Sequence, residues 1–92
     1  MSNSQEMLEA LDQQDLTRAD YYFQKALVED SDDLLLELAY YLEGIGFYPQ
    51  ARQIYEKLAP IFPEVNLNLA SIASEDGQIE EAFAYLEEIQ PN

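Results

Sequence analysis

The chain contains no cysteine, no histidine and no tryptophan, and these absences exclude several classes of protein. Without cysteine there is no disulfide framework, and a tetrahedral zinc site built from cysteine and histidine is impossible. Nucleophilic triads and the commonest general base in enzymes are missing for the same reason. We therefore expect a protein that is not an enzyme and that holds neither a metal ion nor another cofactor.

Positive charge is also scarce, because 4 basic residues face 19 acidic ones and the formal net charge is -15. Binding to nucleic acid or to an anionic membrane depends on basic side chains, so neither is expected as a direct partner. No apolar run approaches the roughly 18 residues that span a bilayer, and the N-terminal sequence MSNSQEMLEA lacks the pattern of a secretory signal. These features predict a cytoplasmic location.

Apolar residues nevertheless make up 48% of the sequence, which is typical of a chain that folds. Three segments superimpose without gaps: DLTRADYYFQKAL (15–27), FYPQARQIYEKLA (47–59) and QIEEAFAYLEEIQ (78–90). Ala51 follows Ala19 by 32 residues, and Ala82 follows Ala51 by 31. The other shared apolar columns are Leu16, Tyr48 and Ile79; Tyr22, Ile54 and Tyr85; Phe23, Tyr55 and Leu86; and Ala26, Leu58 and Ile89. Their spacing is that of one face of an amphipathic helix.

Another amphipathic segment precedes each of these helices, most clearly at residues 32–44 and 63–77. The sequence thus predicts an all-α fold of six helices, each of roughly 11 to 13 residues, in three antiparallel pairs. The pairs correspond to repeat units of about residues 1–31, 32–62 and 63–92 within a single domain, 1–92. Because one pair is too small to bury its own apolar face, we expect neighbouring pairs to stack into a right-handed α-solenoid.

The second unit carries a recognisable pattern in LELAYYLEGIGFYPQARQIYEKLAPIFP (36–63). Its pattern positions are Leu38, Ala39, Gly46, Tyr48, Ala51, Tyr55, Leu58 and Pro63. In these residues the chain resembles the tetratricopeptide repeat, and the resemblance extends over nearly the whole sequence. Three features depart from the family: the period is shorter than the usual length of about 34 residues, tryptophan is absent, and Gln14 replaces a turn glycine.

The resemblance implies a protein-protein interaction module, an adaptor or scaffold, in which the first helix of each pair lines a concave groove. The groove would bind a peptide or a helix of a partner protein. For the second and third pairs, the resemblance implies a set of candidate binding residues on the first helices: Asp33, Leu36, Tyr40, Glu43, Glu64, Leu67, Ser71 and Ser74. Since Leu36 and Tyr40 could instead pack against the first helix pair, contact within the fold remains an alternative for them.

Positive charge is unevenly distributed, because Arg18, Lys25, Arg52 and Lys57 all fall on second helices and none falls on a first helix. The groove is therefore predicted to be acidic, and a matching partner would present apolar anchors flanked by lysine or arginine. Some tetratricopeptide adaptors grip a C-terminal carboxylate with basic groove residues. Glu37 and Glu64 stand at such positions here and would repel it.

Two alternatives stay open, self-association and mimicry of nucleic acid. The chain resembles the N-terminal piece of a longer, bacterial-type tetratricopeptide protein, and an apolar face left on its C-terminal helix pair, including Phe83, could form a homodimer. The acidic surface could also mimic nucleic acid, although dispersed carboxylates are equally typical of an ordinary acidic protein. Finally, EDSDD at residues 29–33 is similar to a calcium loop, but it lacks the glycine of such loops, and a turn with Asp32 as helix N-cap is favoured.

Overall fold

The structure is a computed structural model that describes residues 1–89. Its elements are α1 (Asn3–Asp12), α2 (Leu16–Glu29), α3 (Asp32–Gly44), α4 (Tyr48–Leu58), a short 3-10 helix (Pro63–Val65), α5 (Asn66–Glu75) and α6 (Ile79–Glu87). Over the described residues there is no strand, and the helices pack in adjacent pairs. The all-α class and the six helices are confirmed, whereas stacking into a solenoid stays a prediction.

The chain divides into two compact units, Met1–Leu38 and Ala39–Asn92, with the boundary inside α3. In the first unit, α1 and α2 form a hairpin with Met7, Ala10, Phe23 and Ala26 in its interior. The hairpin is antiparallel, because Ser4 at the start of α1 hydrogen-bonds to Asp30 at the end of α2. Small alanine side chains at this interface let the two helices approach closely.

In the second unit, α4, α5 and α6 surround an apolar interior. The side chains of Ile54, Tyr55, Leu58, Leu69 and Ile72 are almost fully buried. Burying a side chain of this size contributes roughly 1.5 to 3 kcal/mol, so this set is a main source of the unit's stability.

The contact between α5 and α6 is built from small residues. Ala70, Ala73 and Ala82 form a buried cluster, and the half-buried side chains of Tyr85 and Leu86 pack against it. Alanine side chains on both helices allow the backbones to approach, while the larger side chains of α6 close the edge of the cluster.

The three turns within the predicted helix pairs share one backbone conformation. Gln14, Gly46 and Gly77 all have positive φ, at 59°, 87° and 77°. The residue after each one donates its N–H to the carbonyl five positions earlier: Asp15 to Ala10 at 2.9 Å, Phe47 to Leu42 at 2.8 Å and Gln78 to Ala73 at 2.8 Å. This is the Schellman closure of a helix C-terminus. Because the turn recurs at the spacing of the alanine column, the sequence period is a period of local structure as well.

Two local features differ from the sequence expectation. The N-cap of α3 is Ser31, whose hydroxyl accepts the N–H of Leu34 at 3.2 Å, and Asp32 is already the first helical residue. Within the first apolar column, Leu16 and Ile79 are 64% and 52% exposed. Both are the first residues of their helices. Side chains in a helix lean toward its N-terminus, so these two extend past the packed part of the helix.

Candidate partner-binding surface

The predicted binding residues lie on three elements. Asp33, Leu36, Tyr40 and Glu43 lie on α3, Glu64 lies in the 3-10 helix, and Leu67, Ser71 and Ser74 lie on α5. Asp33 and Leu36 belong to the first compact unit, and the other six belong to the second. The structure therefore assigns six of the eight residues to one unit, and Asp33 and Leu36 remain predicted members of the surface.

Two large apolar side chains of this set are open to solvent. Tyr40 is 48% exposed and Leu67 is 57% exposed. Glu64, Ser71 and Ser74 are exposed as well, whereas Glu43 is half-buried. An exposed tyrosine and an exposed leucine in the same unit supply the kind of apolar anchor points that protein interfaces use.

Glu43 is the member of the set that accepts hydrogen bonds from two other helices. Its Oε1 atom accepts a hydrogen bond from the Tyr55 hydroxyl at 2.6 Å and another from Asn68 Nδ2 at 3.0 Å. The donors come from α4 and α5, so one carboxylate oxygen joins three helices. Hydrogen bonds to a charged acceptor are stronger than neutral ones, and these two fix the orientation of the carboxylate.

The Tyr55 hydroxyl is a permanent donor to this carboxylate. Burial raises the pKa of Tyr55 well above its ordinary value, and the neighbouring negative charge of Glu43 raises it further. The phenol therefore stays protonated throughout the physiological range. Glu43 keeps its donor, and the side chain of Tyr55 remains a neutral group within the interior.

Tyr40 packs against Tyr55 on the solvent side of this hydrogen-bonded group. Its ring centroid lies 6.1 Å from that of Tyr55, with the planes tilted by 49°. Tyr40 precedes Glu43 by three residues on α3, a spacing that puts two side chains on the same helix face. The unit thus presents a partly exposed aromatic ring on the same helix face as a carboxylate held by two hydrogen bonds.

All four basic residues lie on the second helices, as predicted: Arg18 and Lys25 on α2, Arg52 and Lys57 on α4. Arg18 Nη2 lies 2.9 Å from Glu6 Oε2, and its guanidinium carbon lies 5.6 Å from the Tyr22 ring centroid. The hydrogen bond that Arg18 donates to Glu6 raises the pKa of Arg18, so the guanidinium remains charged.

Arg52 has a similar environment in the second unit. It forms ion pairs with Glu56 at 2.9 Å and with Glu81, and it donates to the Tyr85 hydroxyl at 3.1 Å. Its guanidinium carbon also lies 6.0 Å from the Tyr85 ring centroid. Hydrogen bonds to Glu56, Tyr85 and Glu81 raise the pKa of Arg52 despite its partial burial, which lowers it.

The acidic segment 29–33 connects α2 to α3, and its Asp30 accepts hydrogen bonds from the N-terminal residues of α1. Asp30 Oδ2 accepts from the Ser4 N–H at 2.8 Å and from the Ser4 hydroxyl at 2.6 Å, while Asp30 Oδ1 accepts from Asn3 at 3.1 Å. Burial alone would raise the pKa of Asp30, but these hydrogen bonds overcome it and lower the pKa below its ordinary value. Asp32 begins α3, so the segment acts as a helix connection.

Two further apolar side chains, both on α6, are open to solvent. Ile79 is exposed, and Phe83 is 62% exposed. Phe83 is the residue predicted to take part in self-association. Their spacing of four residues puts both on one face of the helix. Both residues lie on α6, which carries none of the predicted binding residues.

Asn68 and Tyr55 are the two polar partners of Glu43 that the predicted set does not contain. Asn68 is spaced four residues from Glu64 and three from Ser71, so the helical period already places it with predicted members of the surface. Tyr55 offered no such signal, because its column identified it only as interior.

None of the helices in residues 1–89 has the length and apolar character that crossing a bilayer requires. No protein-family model, no curated protein and no solved structure matches the chain. The tetratricopeptide assignment therefore rests on the residue pattern and stays a prediction.

Proposed function

We propose that the chain is a tetratricopeptide-type interaction module that binds a peptide or helix of a partner protein through its first helices. Tyr40 and Leu67 are the apolar anchors of this surface, and Glu43 is its fixed polar group. Asp33, Leu36, Glu64, Ser71 and Ser74 extend it. Stacking of the helix pairs into a right-handed solenoid is part of the same proposal.

The observation that carries the proposal is that large apolar side chains are exposed next to a carboxylate that hydrogen bonds hold in place. Tyr40 and Leu67 are about half exposed, although both are large enough to contribute strongly to a core. The adjacent carboxylate of Glu43 is meanwhile held by Tyr55 and Asn68. Tyrosine is enriched among the few residues that provide most of the affinity of an interface.

Charge supports the same surface. The helices α1, α3 and α5 contain no lysine or arginine, so the carboxylates of α3 and α5 are not balanced by a cation on the same helix. A positively flanked partner would associate faster and would be favoured over acidic competitors. The proposed partner is therefore a protein segment with apolar anchors and basic flanks.

The proposal is tested by selecting peptides from a displayed random library on the chain and measuring their affinities by calorimetry. We expect peptides with micromolar dissociation constants, and Tyr40→Ala should weaken binding by about tenfold or more. The matched control is Tyr21→Ala, which removes an exposed tyrosine from α2. Peptides that bind the Tyr40→Ala variant as tightly as the original chain would contradict the proposal.

Self-association is a second candidate function, favoured by the exposed Ile79 and Phe83 on α6. Burial of a shared apolar face between two copies would remove both side chains from water. Sedimentation equilibrium should then show a concentration-dependent dimer, and Phe83→Ser should shift it to monomer. Tyr40→Ala should leave the dimer intact, because Tyr40 lies on a different helix. A monomer at all concentrations would exclude this function for the chain.

A further inference from the structure

We infer that Tyr40 and Glu43 form a subsite for one arginine side chain of the bound partner. The inference rests on the proposed function and specifies which side chain the second unit selects. The guanidinium would stack on the exposed ring of Tyr40 and donate hydrogen bonds to the carboxylate of Glu43.

The chain itself contains two examples of this arrangement. Arg18 pairs with the Glu6 carboxylate and lies over the Tyr22 ring, and Arg52 pairs with Glu81 and lies over the Tyr85 ring. Each consists of a guanidinium, a carboxylate and a tyrosine. The chemistry follows from the planar cation, which can donate to a carboxylate at its edge and stack on an aromatic ring with its face.

Tyr40 and Glu43 supply a third tyrosine and a third carboxylate, but the chain supplies no arginine to them. Its only two arginines are Arg18 and Arg52, which form the ion pairs just described. Neither arginine pairs with Glu43 in these ion pairs. An arginine that would complete the set therefore has to come from another molecule.

The carboxylate is prepared for such a ligand. Both hydrogen bonds to Glu43 end on Oε1, from the Tyr55 hydroxyl and from Asn68. They fix the side chain before a partner arrives, so less conformational entropy is lost on binding. Neither of these two donors is a cation.

The aromatic half of the subsite is also positioned in advance. Tyr40 packs against the buried Tyr55 ring at a centroid distance of 6.1 Å while remaining 48% exposed. The same tyrosine thus supports the ring of Tyr40 and donates to Glu43. Lysine would gain the ion pair but not the planar stacking, which is why we assign arginine to the subsite.

The test uses N-acetyl-arginine methylamide as the probe, with nuclear magnetic resonance of the isotope-labelled full chain as the readout. We expect saturable shifts in the backbone amide of Tyr40 and in the side-chain amide of Asn68, with a dissociation constant on the order of millimolar. The lysine analogue should bind more weakly, and the neutral norleucine analogue should produce no such shifts.

Two variants test the two halves of the subsite. Glu43→Gln keeps an oxygen that can accept from Tyr55 and Asn68 but removes the charge, and Tyr40→Leu removes the ring. Each should weaken arginine binding by about tenfold. The matched control is Glu75→Gln, which removes an exposed charge from α5 and should leave binding unchanged. A dispersed amide spectrum for each variant shows that it remains folded.

Equal weakening by Glu75→Gln and Glu43→Gln would overturn the inference, because diffuse negative charge would then explain the binding. Lysine binding as tight as arginine, unaffected by Tyr40→Leu, would overturn it too. The outcomes remain distinct from those of the proposed function. Selected peptides that depend on Tyr40 but contain no arginine would contradict only the subsite, whereas arginine binding without any selected peptide would contradict only the module.

Discussion

Each of the two units contains a carboxylate that ties helices together, but the two differ in what surrounds them. Asp30 in the first unit accepts hydrogen bonds from the start of α1, where backbone and side-chain donors meet it. Glu43 in the second unit accepts only side-chain donors, from Tyr55 and Asn68, and shares its helix face with the exposed Tyr40.

The difference shows how the same chemistry serves two purposes. A helix N-terminus presents unpaired N–H groups and the positive end of the helix dipole. The Asp30 carboxylate is therefore stabilised at the start of α1, where it links α1 to the end of α2. Glu43 lies in the last turn of α3, where the dipole disfavours negative charge. Its donors from other helices offset that disadvantage. The carboxylate is thereby held on the same helix face as the partly exposed ring of Tyr40, as the proposed subsite requires.

The largest expected effect comes from removing the ring behind Glu43. Tyr55→Ala should lower the free energy of unfolding by about 3 to 5 kcal/mol, because it opens a cavity and removes a donor to a half-buried carboxylate. Tyr55→Phe keeps the ring and should cost only about 1 to 2 kcal/mol. Urea denaturation measures both. Equal losses would show that the hydroxyl, and not the packing of the ring, is the dominant contribution.

Phe23 provides the comparison in the first unit, since it occupies the same repeat column as Tyr55 and is also buried. It has no hydroxyl, so Phe23→Ala should show the cavity cost without the lost hydrogen bond. A smaller loss for Phe23→Ala than for Tyr55→Ala would support the distinction between the two units.

A change of intermediate size is expected at Asp30, and it depends on pH. The folded-state pKa is lowered, so Asp30 stabilises the fold at pH values above its unfolded pKa of about 3.9. That stability is lost as the pH falls through the lower, folded-state pKa. Asp30→Asn should therefore destabilise the chain at neutral pH, by about 1 to 3 kcal/mol, and should flatten the acid limb of the stability curve.

Thermal unfolding of the original chain and of the Asp30→Asn variant between pH 2 and 7 measures this change. An unchanged acid limb in Asp30→Asn would contradict the structural role assigned to Asp30.

The smallest expected effect concerns the turns. Gln14 has positive φ, as Gly46 and Gly77 do, although a side chain is disfavoured in that conformation. Gln14→Gly should raise the free energy of unfolding by about 0.5 to 1 kcal/mol, whereas Gly46→Ala should lower it by a similar amount. Thermal unfolding detects both shifts. Destabilisation by Gln14→Gly would mean that the flexibility of glycine in the unfolded chain outweighs the relieved strain.

The repeat columns correctly predicted the buried residues in the parts of the helices that pack against a neighbouring helix. Ala19, Ala51 and Ala82 are all buried, because a helix face of small residues is the one on which a neighbouring helix can pack. The columns gave no indication that Leu16 and Ile79 would be exposed, since the helix ends decide this and sequence patterns locate helix ends only to within a few residues. Ser31 was missed as an N-cap for the same reason.

The sequence by itself determined the local features: the six helices, the period of the turns, the face that each helix buries and the location of all four cations on α2 and α4. These depend on side chains three to five residues apart. Only the tertiary structure decided which of the 19 acidic residues would become an ordered acceptor beside an exposed ring. Tyr55 and Asn68 lie 12 and 25 residues from Glu43 along the chain, so only helix packing can bring their donors to its carboxylate.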